Sequence, residues 1–169
     1  MKKFLTLIAL VALAGCGGEA NTKTPETASL PANLIVTTAP PDAKDVTAAK
    51  QSLKPGDAVV VRGRIGGAEK PLADNRAIMT IMDLSMPTCD KTPMEKCPTP
   101  WDSCCEPAEV RTAKSATVQV VGADGKPLRA TLAGVGGIAP NKQVIVAGIA
   151  KPIGGDAVII EAKQIYVSP

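Results

Sequence analysis

Four cysteines fall within seventeen residues, Cys89, Cys97, Cys104 and Cys105, with seven, six and zero residues between successive members. A thiol can be a nucleophile, a metal ligand or half of a disulfide, according to its protonation and its neighbours. Three chemistries therefore compete for this stretch. Disulfide cross-linking is the default for an even set of cysteines in an exported chain. A bond between Cys104 and Cys105 is disfavoured, because adjacent Cα atoms stand only about 3.8 Å apart, below the usual range for a bridge. Two pairings remain: Cys89 with Cys104 and Cys97 with Cys105, or Cys89 with Cys105 and Cys97 with Cys104. The alternative is a metal site, with the four thiolates around zinc, or Cu(I) held by the cysteines with Met86 and Met94 as soft neighbours. The spacing departs from the closely spaced cysteine pairs usual in structural zinc sites. The third chemistry is thiol–disulfide exchange by an exposed Cys104-Cys105 pair, which lacks a Cys-x-x-Cys motif and an activating histidine.

The chain contains no histidine. That excludes Ser-His-Asp and Cys-His nucleophilic sites, haem attachment through Cys-x-x-Cys-His, and every zinc site that needs imidazole. Carboxylates do surround the cysteines, at Asp83, Asp90, Glu95, Asp102, Glu106 and Glu109. In so proline-rich a stretch they read as a solvated surface rather than an acid and base pair. No catalytic constellation is recognisable, and the chain is not read as an enzyme.

The elements that must position the cysteines lie on either side of them. Residues 85–113 carry Pro87, Pro93, Pro98, Pro100 and Pro107, a density that prevents regular structure. A loop of this length inside a compact domain is usually functional or cross-linked. Trp101 gives it one large apolar group, which is a candidate anchor for a binding surface or a side chain packed beneath the cross-links.

Around the loop the sequence predicts short β-branched runs at 57–66, 76–84, 116–121, 128–133, 143–150 and 157–167. Asp45 to Leu53, stopped by Lys54-Pro55-Gly56, predicts a short preceding helix with Asp45 as its cap. Alternation in the first run puts Val59, Val61 and Ile65 on a buried face and Arg62 and Arg64 on the other. Those arginines, with Lys151, could form a small anion-facing patch, although a solvated strand face accounts for them. Glycines Gly63 and Gly148 mark sharp bends, and broken alternation between Ala162 and Ile165 marks a bulge. The fold class is all-β, a small antiparallel barrel. Leu53-Lys54-Pro55-Gly56-Asp57 leading into Val59-x-Val61-x-Gly63-x-Ile65, with Gln143-Val-Ile-Val-Ala-Gly148 and Ala162-Lys-Gln-Ile-Tyr-Val167, resembles the first and last strands of OB-fold domains. The segment before the fourth strand of that fold, Gly134 to Asn141, is too short for its usual helix. Many OB-folds bind single-stranded nucleic acid on aromatic side chains in a positive groove. Beyond the leader only Trp101 and Tyr166 are aromatic, so no nucleic-acid partner is expected.

The first fifteen residues run from Lys2 and Lys3 through an apolar stretch to Leu13-Ala14-Gly15, the order of a secretory signal peptide. The apolar run is shorter than the roughly 20 residues a membrane span needs. Removing Lys2 and Lys3 leaves 19 − 2 = 17 basic against 16 acidic side chains, a net charge of +1. Leu13-Ala14-Gly15-Cys16 resembles the lipobox of bacterial lipoproteins, which implies cleavage before Cys16 and its acylation. Several acyl chains give stable anchoring where one is marginal. Gly17 lacks the aspartate that this resemblance associates with inner-membrane retention in some bacteria. Residues 1–15 are thus read as a cleaved signal peptide, 16–42 as a flexible acylated tether, and 43–169 as the barrel with its insertion. Cys97-Pro-Thr-Pro-Trp-Asp-Ser-Cys-Cys105 also resembles a Cys-Pro-Thr-Pro-Trp-Asp-x-Cys-Cys signature of uncharacterised bacterial lipoproteins. The expected protein is a membrane-anchored envelope lipoprotein, a binding or structural module with a disulfide-stapled loop as recognition surface and an envelope protein as a possible partner. Zinc or copper binding by the four cysteines is the alternative, and thiol–disulfide exchange a further one.

Overall fold

In the computed structural model, residues 28–89 and 97–169 are described. The leader, Cys16, the first part of the tether, and Asp90, Met94 and Glu95 lie outside the described residues. The elements are β1 (Ile35–Val36), β2 (Lys44–Asp45), α1 (Val46–Lys50), β3 (Ala58–Ile65), β4 (Ile78–Met82), α2 (Ala108–Ala113), β5 (Ser115–Gln119), β6 (Gln143–Gly154) and β7 (Ala157–Val167). Pairing runs from β3 to β4, β5, β7 and β6, and returns from β6 to β3, so five strands close a barrel. Closure removes the open edges that a small sheet would otherwise expose. All of these pairings are antiparallel except β5 with β7, which is parallel. The all-β, OB-like barrel read from the sequence is therefore present, with β1 and β2 added as short parallel edge strands on β7 and β3.

Period two in β3 has the expected consequence. Val61 and Ile65 are buried, Val59 packs at the margin of the core, and Arg62 points to solvent. Facing side chains from the other strands, including Met79, Val118, Val146, Ile160 and Ile165, complete the interior. Each such side chain stabilises the fold by about 1.5–3 kcal/mol on leaving water. Near the base of the β6–β7 hairpin the register shifts, with Ala147 opposite Gln164 but Gly148 opposite Ala162. Lys163 is the extra residue, so the bulge falls where alternation broke. A Cβ at Gly148 would collide with the carbonyl oxygen of Glu161, so only glycine lets the strands meet there.

Four sequence expectations are corrected. Residues 128–133 form no strand: Leu128 bonds laterally to Val120 and Ala77, and the Ala130 N–H then turns back to the Leu128 carbonyl at 3.0 Å, which bends the chain. Leu132 is buried nonetheless. The tether reading ends earlier than residue 42, because Leu34 is 1 % exposed and β1 pairs with β7. Helix α1 spans only Val46–Lys50, and the Asp45 side chain makes no cap bond. Asp45 instead accepts from Arg62 Nε at 2.9 Å, while the N–H of Thr47 is capped at 2.8 Å by the carboxylate of Asp83, thirty-six residues away. Finally, the prolines do not exclude a helix from the insertion. Pro107 precedes α2, where its fixed φ suits a helix start, and the carbonyl of Pro107 accepts from Arg111 N at 3.0 Å.

Candidate metal centre

The insertion is packed onto one end of the barrel. Its outgoing arm leaves β4 through Asp83, whose Oδ1 accepts from Ser85 N at 3.0 Å while Oδ2 holds α1. Its returning arm is fixed by Lys50, whose ammonium donates to the carbonyls of Thr112 and Ser115 at 2.8 and 2.9 Å, supplying acceptor groups at the end of α2 with a donor. Burial lowers the pKa of this lysine, with Asp156 opposing the effect.

Between these clamps the two arms are cross-linked by hydrogen bonds. Cys89 N donates to the Pro100 carbonyl at 3.0 Å, and Ser103 Oγ donates to the Pro87 carbonyl at 2.8 Å. Ser103 also contacts Met82 Sδ at 3.6 Å. Met86, Thr88, Cys89, Asp102 and Ser103 are all buried, forming a small interior of their own. Trp101 joins this unit to the barrel. Its carbonyl accepts from Gly67 N at 2.8 Å and its indole Nε1 donates to the Glu69 carbonyl at 3.0 Å. A Cβ at Gly66 would collide with that same Trp101 carbonyl oxygen. Trp101 is thus half-buried and committed to the turn between β3 and β4, a docking role within the chain.

The sulfurs of Cys89, Cys97 and Cys104 and a carboxylate oxygen of Asp102 all lie within 4.8 Å of one another. Cys89 and Asp102 are buried, Cys97 is half-buried and Cys104 faces solvent. The Asp102 carboxylate is oriented by two donors, Cys104 N at 2.6 Å on Oδ1 and Thr99 Oγ1 at 3.0 Å on Oδ2. Thr99 Oγ1 also lies 3.8 Å from Cys97 Sγ. The local fold that makes this possible is a tight turn through Ser103, whose φ of 52° lies in the left-handed region. It places Asp102 and Cys104 together and turns Cys105 outward.

Electrostatics differ across the cluster. Burial pushes the Cys89 thiol up, while hydrogen bonding to Thr99 lowers Cys97. Cys104 is pushed up to about 12, chiefly by its hydrogen bond to the Asp102 carboxylate. For Asp102 itself burial acts upward, but the hydrogen bonds from Cys104 and Thr99, with the charge of Arg111, hold it below its usual value. A carboxylate held ionised among sulfur donors is a receptor for positive charge.

Several expectations change here. Among the described residues no two cysteine sulfurs lie at disulfide distance. The Cys89 and Cys104 sulfurs stand 4.0 Å apart, about twice the bond length of about 2.05 Å, so the disulfide-stapled loop is not formed in this structure. Asp102, read from the sequence as a solvated acid, is one of the four clustered donors, whereas Cys105 is exposed and outside the set. Asp83 is buried and structural. The anion-facing patch does not form, because Arg62 pairs with Asp45, Lys151 pairs with Glu161, and Arg64 Nη2 donates to the Met86 carbonyl at 2.7 Å. The role of Asp102 had one signal in the sequence, its position two residues before Cys104, where an aspartate side chain readily bonds the backbone N–H of that residue.

The site and fold together define an OB-like barrel bearing a loop with a three-thiol, one-carboxylate donor cluster. Compared with known proteins, the chain matches no family model, no curated protein and no solved structure.

Proposed function

We propose that this chain is a lipid-anchored protein of the bacterial cell envelope whose barrel presents a metal-binding loop, with zinc or copper as the ion and the cysteine cluster as its seat. The observation that carries this reading is the convergence of four ligand-type atoms within 4.8 Å in a loop with few apolar residues. Metal binding adds folding free energy to such a segment, since an ion bound only by the folded loop stabilises the arrangement that the hydrogen bonds already bring together. The ion takes the part that cross-links were expected to play, and it fixes the loop as a rigid binding or structural surface. An envelope protein is the expected class of partner. Anchoring rests on the resemblance of Leu13-Ala14-Gly15-Cys16 to a lipobox.

The test is metal analysis of the full chain purified in detergent under reducing conditions. One equivalent of tightly held zinc or copper per chain, released by a chelator with recovery of reactive thiols, is the expected result. A metal-free chain lacking four hydrogens by intact mass, with no alkylatable thiols before reduction, would return the loop to the disulfide reading. Labelling with a radioactive fatty acid tests the anchor, and Cys16→Ser abolishes that labelling without altering metal content.

A further inference from the structure

We infer that the ion is divalent and zinc-like, and that Asp102, not Cys105, is its fourth protein ligand. This rests on the metal-binding reading above and assigns its ligand set and its metal class.

Tetrahedral zinc with Zn–S bonds of about 2.3 Å puts its sulfurs about 3.8 Å apart. The Cys89 and Cys104 sulfurs stand at 4.0 Å, and Cys97 Sγ and an Asp102 oxygen lie within 4.8 Å of both. Four donors at mutual distances of this size suit a tetrahedron around one small ion. Cys105 is the residue the cysteine pattern alone would have chosen, but Cys104 and not Cys105 has its sulfur among the four clustered donors, and the fourth place is taken by Asp102.

The carboxylate also separates the metals. Cu(I) is a soft ion satisfied by sulfur alone, whereas zinc accepts thiolate and carboxylate together. Asp102 is buried and is held by Cys104 N and Thr99 Oγ1. These second partners orient a ligand as those of metal-bound carboxylates do. Three thiolates and one carboxylate bring four negative charges to the ion, and a divalent cation offsets twice as much of that charge as a monovalent one.

The experiment is anaerobic titration of the reduced, metal-free full chain in detergent, first with Co²⁺ and then with competing Zn²⁺, and separately with Cu(I), in the parent and in Asp102→Asn, Cys105→Ser and Cys89→Ser. Asp102→Asn keeps the shape and the hydrogen-bonding outline, and the circular dichroism of each variant without metal shows whether the barrel is intact. The expected result is that D102N weakens zinc by about 100-fold or more while leaving the thiolate-to-cobalt charge-transfer intensity at saturation unchanged. C89S lowers that intensity by about a third, as loss of one of three thiolates requires. C105S leaves zinc affinity and intensity unchanged. Cu(I) affinity is unaffected by D102N. Zinc binding that survives D102N but is lost in C105S would overturn the assignment of Asp102 alone, and a Cu(I) affinity that falls in parallel with zinc would overturn the metal selectivity. No binding of any of these ions by the parent chain would overturn the metal-binding reading itself.

Discussion

The Sγ atoms of Cys89 and Cys104 stand 4.0 Å apart across the two arms of the loop, with the Cys89 side chain buried and that of Cys104 exposed. That separation is near the sulfur–sulfur edge of about 3.8 Å expected of a tetrahedral zinc site, yet about 2 Å of closure would make a disulfide. When the reduced, metal-free chain meets a small-molecule disulfide, the expected first product is a Cys89–Cys104 bond. Cys104 is the exposed one of the two, but the Asp102 carboxylate pushes its pKa up to about 12, so its attack on the reagent is slow at neutral pH and speeds as pH rises. Cys89 then displaces the mixed disulfide, and two reagent thiols and a two-electron oxidised protein result. Peptide mapping at early times identifies the bond, and saturating zinc slows its formation. A first bond between Cys104 and Cys105, or between Cys97 and Cys105, would contradict this order.

Asp83 links the loop to the barrel through its carboxylate, and its titration is measurable as stability. Burial alone would raise its pKa, but the backbone N–H groups of Thr47 and Ser85 outweigh that and hold it at about 2. In the unfolded chain an aspartate titrates near about 3.9. The folded value is the lower one, so its contribution is complete above about pH 4 and is lost as pH falls towards about 2. Asp83→Asn of the metal-free chain is expected to lower stability by about 2 kcal/mol at neutral pH and to flatten the acid branch of the curve. Urea unfolding at a series of pH values checks it. Curves for parent and variant that remain parallel through the acid range would rule the linkage out.

Leu34 is 1 % exposed although it precedes the barrel strands by more than twenty residues. Its N–H donates to the Pro31 carbonyl at 3.0 Å and its carbonyl accepts from Ile165 N at 2.6 Å. Leu34→Ala is expected to destabilise the domain by about 2–5 kcal/mol, the range for emptying a core position. Thr38→Ala, on the exposed part of the same segment, serves as the control with little effect. Equal melting temperatures for the two variants would mean that this segment is a tether after all.

What the sequence made legible follows physical range. Val61, Ile65 and Gly148 declare their roles by local alternation and local turn chemistry, because a strand has period two and a bulge breaks it. Leu34 does not, since three apolar residues in a run carry no period and their partner, β7, is set by the barrel as a whole. Residues 128–133 misled because their composition suits a strand, while in the fold Leu128 bonds laterally, to Val120 and Ala77, before the Ala130 N–H turns back to the Leu128 carbonyl. At the site, the cysteines announced themselves by type and spacing. The exchange of Cys105 for Asp102 depended on the direction of one turn at Ser103, and that is fixed by its bond to the Pro87 carbonyl on the opposite arm. Partners so far apart along the chain leave no local pattern to read.

Trp101 and Gly66 give the last prediction. Gly66 N donates to the Thr80 carbonyl at 3.1 Å, so its backbone belongs to the barrel, while its missing side chain leaves the space taken by the Trp101 carbonyl oxygen. Gly66→Ala fills that space, and the cheapest relief is for the loop to lift away, breaking the bonds from Gly67 N and to the Glu69 carbonyl. Each lost bond is worth about 1 kcal/mol, far less than the barrel core. The barrel is therefore expected to persist, with its far-ultraviolet circular dichroism unchanged. Trp101 is the chain's only tryptophan, so the indole emission of the variant reports on the loop alone and should shift to the red as the ring meets water. Because Asp102 and Cys104 follow Trp101 directly in the chain, zinc affinity should fall as the loop lifts, and adding zinc should partly restore the parent emission. Unchanged emission and unchanged zinc affinity in Gly66→Ala would show that the donor cluster is organised without the barrel, and that the dock at Gly66 is incidental to it.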